Sequence, residues 1–157
     1  MSMRMGRVLA LVAAGLALCF AVLIAAVVLT RDKARPQSDI LVSENLTKAV
    51  TTTQDPDNGT HGIVRLADVA PFDWDRVLLV APGTPRNAIS RRLGREWTGI
   101  DTIDGGEVLI FLRDREVARF ADYRGNGRFA GFERPFASIP RDRAVFTVRS
   151  MVIRPKS

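Results

Sequence analysis

Two aspartates that flank a tryptophan are the residues whose types and spacing come closest to a chemical site. Asp73 and Asp75 lie two positions apart, so in a strand their carboxylates would share one face. Paired carboxylates can carry out acid–base catalysis or hold a cation. We favour a structural interpretation, in which Trp74 enters the core and the two carboxylates pair with Arg76 or Arg65.

The other polar residues match no catalytic or metal-binding pattern. Asp101 and Asp104 precede a pair of glycines, which is ordinary turn composition. Ser90 and Ser138 lack the flanking glycines of a nucleophile elbow, and the single histidine, His61, lies in a predicted loop. We therefore predict a chain without catalytic, cofactor-binding or metal-binding residues, and we keep a hydrolase of cell-wall material as the alternative.

Aromatic and arginine residues gather between positions 124 and 140, and these residue types are enriched at protein interfaces. We predict a contact surface for an envelope protein or polymer, made of Arg124, Arg128, Phe129, Phe132 and Arg134. The alternative is that the phenylalanines close the hydrophobic core. Serine substitutions separate the two interpretations, because a core residue is needed for folding and a surface residue is not.

The charge distribution bears on the partner. The chain carries 23 basic and 17 acidic residues, a net charge of +6. This excess is spread along the sequence, whereas a nucleic-acid surface gathers its lysines and arginines on one face. Only Lys33, Lys48 and Lys156 are lysines, which is typical of the arginine-rich coding of a GC-rich bacterial genome. We therefore predict no nucleic-acid partner.

The longest apolar stretch runs from Val8 to Leu29 and contains neither a charge nor a proline. As a helix it would span ~33 Å, enough to cross the hydrocarbon core of a bilayer. It follows a short basic tail at residues 1–7, and it is longer than the ~7–15 apolar residues of a cleaved signal peptide. Cys19 lies inside the stretch and follows a leucine, which does not fit lipid attachment. We predict an uncleaved, single-pass signal-anchor that contacts the lipid bilayer.

The orientation of this anchor follows from two opposing arguments. Arg4 and Arg7 precede the stretch, while Arg31, Lys33 and Arg35 follow it; this count slightly favours a cytoplasmic domain. A short basic N-terminus before a first apolar helix, however, commonly exports the chain that follows. We predict that the domain is extracytoplasmic, and a cytoplasm-facing anchored domain is the alternative.

Periodicity divides the remainder into a juxtamembrane linker at 30–62, with a short helix over Ile40–Val50, and a soluble domain at 63–157. Apolar runs and turn residues predict one helix, Pro85–Leu93, ended by Gly94, and the strands Ile63–Val69, Arg76–Ala81, Glu107–Arg113, Glu116–Tyr123 and Ala144–Ile153. Strands joined by hairpins after a helix are typical of an α+β fold. We expect an antiparallel sheet of about four strands with one or two helices on one face.

The segment FDWDRVLLVAPGTPRNAISRRLG at 72–94, followed by the strand Val108–Phe111, resembles a family of small bacterial, actinobacterial membrane-anchored or lipoprotein-type proteins. The resemblance covers about half of the chain and implies no particular activity. The order of a helix followed by a sheet is also similar to the β-lactamase-inhibitor-protein-like architecture. That similarity implies a protein-binding module and no site residues.

Overall fold

The computed structural model describes residues 38–53, 62–102 and 105–156, and the single residue Val22. The chain divides into two compact units, Met1–Arg35 and Pro36–Ser157, and the second unit holds all the elements described below. The predicted span at 8–29, apart from Val22, and the basic tail at 1–7 lie outside the described residues. Within the described part, no helix is long and apolar enough to cross a bilayer.

Helices and strands alternate as far as the strand Glu107–Arg113 in the described part of the folded unit, and the elements after it are strands apart from one 3-10 turn. The helices are α1 (Ile40–Thr52), α2 (Leu66–Val69) and α3 (Arg86–Leu93), and a 3-10 turn covers Arg141–Arg143. The strands are β1 (Gly62–Arg65), β2 (Arg76–Val80), β3 (Glu107–Arg113), β4 (Glu116–Tyr123), β5 (Arg128–Phe129), β6 (Phe136–Pro140), β7 (Val145–Arg149) and β8 (Val152–Pro155).

The strands form two four-stranded sheets. Sheet A has the order β4-β3-β2-β6 and is antiparallel throughout. Sheet B has the order β1-β7-β8-β5, and only its β5–β8 pair is parallel. The predicted α+β class is confirmed, but the described residues form two sheets where one sheet of about four strands was expected. The difference arises because residues 128–155 contribute β5 to β8, where the sequence indicated a single strand.

Strand β2 lies inside sheet A and is buried on both faces, as its unbroken apolar run predicts. Val77 and Leu79 belong to the core that sheet A shares with sheet B, whereas Leu78 and Val80 belong to the core under helix α3. None of the four is more than 7 % exposed. Sheet A therefore separates two hydrophobic cores.

The first core fills the space between sheet A, sheet B and helix α1. Val42, Leu46 and Val50 of α1 are each at most 1 % exposed and lie in this core; their four-residue spacing places them on one helix face. Asp39 caps the helix by accepting a hydrogen bond from the Val42 N–H at 3.2 Å. The predicted short helix is therefore present, and it packs into the folded unit rather than forming part of a linker.

The second core lies on the opposite face of sheet A, under helix α3 and the segment that follows it. Ile89 and Trp97 are at most 1 % exposed. The Trp97 ring meets the Phe120 ring edge-on, with centroids 5.2 Å apart, and the Trp97 Nε1–H donates to the Ile100 carbonyl at 2.9 Å. Gly94 ends α3 at a φ of 70°, the left-handed conformation expected of a glycine after a helix.

Two segments that were predicted as single strands are interrupted in the structure. The stretch Ala144–Ile153 forms β7 and β8, because a tight turn at Ser150 and Met151, with φ of 48° and 58°, folds the chain back. Residues other than glycine rarely adopt positive φ, so the sequence carries no signal for this turn. The stretch Ile63–Val69 is strand β1 followed by the single turn of α2.

Candidate functional site

A groove with an arginine-rich rim opens on the α3 face of sheet A, at the end of the sheet that carries the β3–β4 hairpin. Its volume is about 670 Å³, within the range typical of ligand pockets. The groove is lined by Asp75, Arg76, Leu78, Arg92, Leu93, Leu112, Asp114, Arg115 and Ser138. We call these residues the arginine groove. Leucines form its floor, and three guanidinium groups, two carboxylates and a hydroxyl surround it.

Different elements bring the three guanidinium groups of the arginine groove together. Arg76 begins β2 and donates to the Ser138 Oγ of β6 at 3.1 Å. Arg92 lies in the last turn of α3, and Arg115 lies in the β3–β4 turn, where its φ is 69°. In the described part of the chain, neither Arg92 nor Arg115 makes an ion pair. The site therefore presents two cations that are available to an anionic ligand.

The aspartates at 73 and 75 are held by structural partners. Asp75 Oδ2 accepts a hydrogen bond from the Asp114 N–H at 2.8 Å, and Asp73 forms an ion pair with Arg113 at 3.0 Å. Trp74 between them is 3 % exposed, as the structural interpretation of this pair requires. The carboxylates therefore have partners other than the expected Arg76 and Arg65: Asp75 binds the backbone of the β3–β4 turn, and Asp73 binds the last residue of β3.

The aromatic members of the predicted contact surface belong to the first core. Phe129 is 2 % exposed, and its ring lies edge-on to those of Phe146 and Tyr123 at centroid distances of 5.5 Å and 5.8 Å. Phe132 is half-buried and packs against Phe129 and Phe146. Phe129 is therefore a core residue, which corrects its assignment to an exposed surface and matches the alternative stated for it.

The arginines of the predicted surface are exposed, but two of them bind acidic neighbours. Arg134 donates to the Phe129 carbonyl at 3.0 Å and lies 3.5 Å from Glu107. The Nε–H of Arg124 donates to Asp122 at 2.7 Å. Arg128 alternates with the buried Phe129 along β5 and is exposed. The paired arginines of the predicted surface, Arg124 and Arg134, therefore bind acidic residues of sheet A and do not form a free surface.

Burial affects two ionisable groups next to this segment. Burial raises the pKa of the Glu107 carboxyl, although the Phe129 N–H and the nearby Arg134 both oppose the shift. Burial, together with the charge of Glu107, raises the pKa of Tyr123 to about 12. The Tyr123 hydroxyl donates to the Asn126 carbonyl. These groups form a largely buried connection between β3, β4 and β5.

The raised pKa of Tyr123 is directly measurable, because the chain contains a single tyrosine. We expect its phenol to titrate near pH 12 in ultraviolet absorbance, and near 10 after unfolding in guanidinium chloride. The folded state favours the neutral phenol, so the contribution of Tyr123 to stability is complete below pH 10 and is lost as the pH rises toward 12. A titration near 10 in the folded chain would contradict the burial of this hydroxyl.

Among the other residues considered for chemistry, Ser90 has a structural role, and His61 and Asp104 are not described by the structure. Ser90 donates to the Arg86 carbonyl at 3.0 Å and accepts from the Trp97 N–H at 3.0 Å, so it joins α3 to the segment that follows. The sequence pattern did not predict the arginine groove, because its guanidinium groups come from positions 76, 92 and 115, which show no common spacing.

Comparison with known proteins yields no family: no family model, no curated protein and no solved structure matches this chain.

Proposed function

We propose that this chain is a single-pass membrane protein whose extracytoplasmic domain is a non-catalytic binding module, an accessory protein of the bacterial envelope. Two features support the proposal. The apolar stretch at 8–29 has the length and composition of a membrane anchor. The domain that follows carries the arginine groove, and this groove is the observation on which the binding role depends.

The chemistry of the groove favours binding over catalysis. Arginine stays protonated at all physiological pH values, so its guanidinium holds an anion in place but does not exchange protons with a substrate. The Asp75 carboxylate, one of the two that line the groove, accepts a hydrogen bond from the Asp114 N–H at 2.8 Å and so also has a structural role. A protein or polymer that presents carboxylate or phosphate groups is therefore the partner we propose.

Topology is the first test of this function. The only native cysteine, Cys19, lies within the predicted anchor, so Ser157→Cys introduces a thiol in the domain with little background. We expect a membrane-impermeant maleimide to label this variant in intact cells, and the unsubstituted chain to stay unlabelled. Labelling that requires cell lysis would place the domain in the cytoplasm and refute an envelope role.

A further inference from the structure

We propose that the free edge of strand β6 binds an extended acidic segment of another protein as an added β-strand, with its carboxylates directed to the arginine groove. This inference rests on the binding role proposed above and specifies the partner. It depends on two independent observations, the hydrogen bonding of β6 and the charge beside it.

The hydrogen bonds around β6 show which of its backbone groups face away from the sheet. The Ala81 N–H donates to the Pro135 carbonyl at 2.9 Å, and the Arg141 N–H donates to the Asp75 carbonyl at 2.8 Å. Along an antiparallel strand, residues bonded to one neighbour alternate with residues whose groups point the other way. The odd-numbered positions from 135 to 141 therefore bond to β2, and the even-numbered positions direct their backbone outward.

The outward-facing residues are Phe136, Ser138 and Pro140. They offer two N–H donors and three carbonyl acceptors, since proline lacks the N–H. No backbone hydrogen bond links these groups to another described segment. The other edge of sheet A is strand β4, and it has a backbone partner outside the sheet: the Asp39 N–H donates to the Phe120 carbonyl at 2.7 Å. Charged side chains usually block a free edge, but β6, with the sequence FASIP, has none.

The position of the arginine groove predicts the charge of the added strand. Directly opposed residues of neighbouring strands place their side chains on the same face of a sheet. Residues of the added strand opposite Phe136, Ser138 and Pro140 would therefore direct their side chains to the α3 face. The added strand itself would lie about 4.8 Å from β6. Ser138 lines the groove there and accepts from Arg76. Carboxylates at alternate positions of the added strand would therefore complement the unpaired guanidinium groups.

A peptide of six residues with alternating glutamate and valine, labelled with fluorescein, serves as the probe. We titrate it with the full chain in lipid nanodiscs and follow fluorescence anisotropy. We expect saturable binding that weakens as salt is added. A lysine–valine peptide should not bind, because the arginines repel it. A glutamate–valine peptide with N-methylated backbone nitrogens should also fail to bind, since strand addition uses its N–H groups.

Two neighbouring arginines provide a matched pair of variants. Arg92 lines the groove and Arg91 does not, although both are exposed in the last turn of α3. We expect Arg92→Gln to weaken binding by about five- to tenfold and Arg91→Gln to leave it unchanged. Ser138→Pro removes an outward N–H at a position where an edge strand tolerates proline, and it also removes the hydroxyl that accepts from Arg76. We therefore expect it to abolish binding while circular dichroism stays unchanged, and Ser138→Ala, which removes the hydroxyl alone, to retain binding.

Three outcomes would overturn strand addition. The first is equal weakening of peptide binding by the two arginine variants. The second is undiminished binding of the N-methylated peptide. The third is tight binding of inorganic polyphosphate, with Ser138→Pro weakening neither polyphosphate binding nor peptide binding. Each would mean that charge alone attracts the ligand. The peptide titration does not depend on topology, so labelling of Ser157→Cys only after lysis would refute the envelope function separately. External labelling without peptide binding would refute only this inference.

Discussion

Replacing Phe129 with alanine is expected to lower the free energy of unfolding by about 3–5 kcal/mol, the usual cost of removing a buried aromatic ring. The ring is 2 % exposed and contacts the rings of Tyr123, Phe132 and Phe146. Its loss would leave a cavity where β5 joins the first core. Urea unfolding of the full chain in detergent micelles, followed by tryptophan fluorescence, measures the change.

Arg128 provides the control for this substitution. It precedes Phe129 in the two-residue strand β5 but is exposed, so Arg128→Ala should change stability by less than about 0.5 kcal/mol. If Phe129→Ala left stability unchanged while impairing capture of a partner, the ring would belong to a contact surface after all. The pair of variants thus separates core from surface within one strand.

Replacing Leu46 with alanine is expected to cost about 2–5 kcal/mol. Leu46 is 0 % exposed and lies between Val42 and Val50 on the face of α1 that enters the first core. Helix α1 takes no part in the hydrogen-bond ladders of either sheet, so the loss of stability would come from side-chain packing alone. The same urea unfolding experiment measures it.

Lys48 lies two positions further along α1 and is exposed. Lys48→Ala should therefore leave the unfolding midpoint nearly unchanged, since alanine is at least as good a helix former as lysine. Similar small effects from both substitutions would show that α1 does not contribute to the core. A large effect from Leu46→Ala alone would show that α1 contributes to the stability of the first core, so fragments without α1 should be less stable.

Elements with strong local signals could be predicted from the sequence. Strands β3 and β4 have the expected bounds, because the Asp114–Arg115 turn between them is short and the apolar runs on either side are long. Helix α3 begins one residue later than expected and ends at its predicted residue, before Gly94. In each case the bounds of the element are determined by residues within it or directly next to it in sequence.

Elements decided by distant contacts could not be predicted. Strand β6 was not predicted, and it forms by pairing with β2, some 60 residues away in sequence. Strand β5 has two residues and depends on β8 in the same way. The arginine groove combines residues of β2, α3, β3, the β3–β4 turn and β6. The predicted contact surface failed at Phe129, since composition does not distinguish an interface aromatic from a core aromatic.

The attachment of the α1 N-terminus determines how the domain would carry mechanical load. The chain enters the fold beside β4, where Asp39 bonds the Phe120 carbonyl, caps α1 and pairs with Arg119 at 2.8 Å. A pull on the chain preceding Ser38 would therefore be borne first by this cross-linked edge. Strand β6 lies three strand spacings away, ~14 Å across sheet A. If the domain is anchored as proposed, tension applied before Ser38 would have to cross sheet A to reach a partner bound at β6.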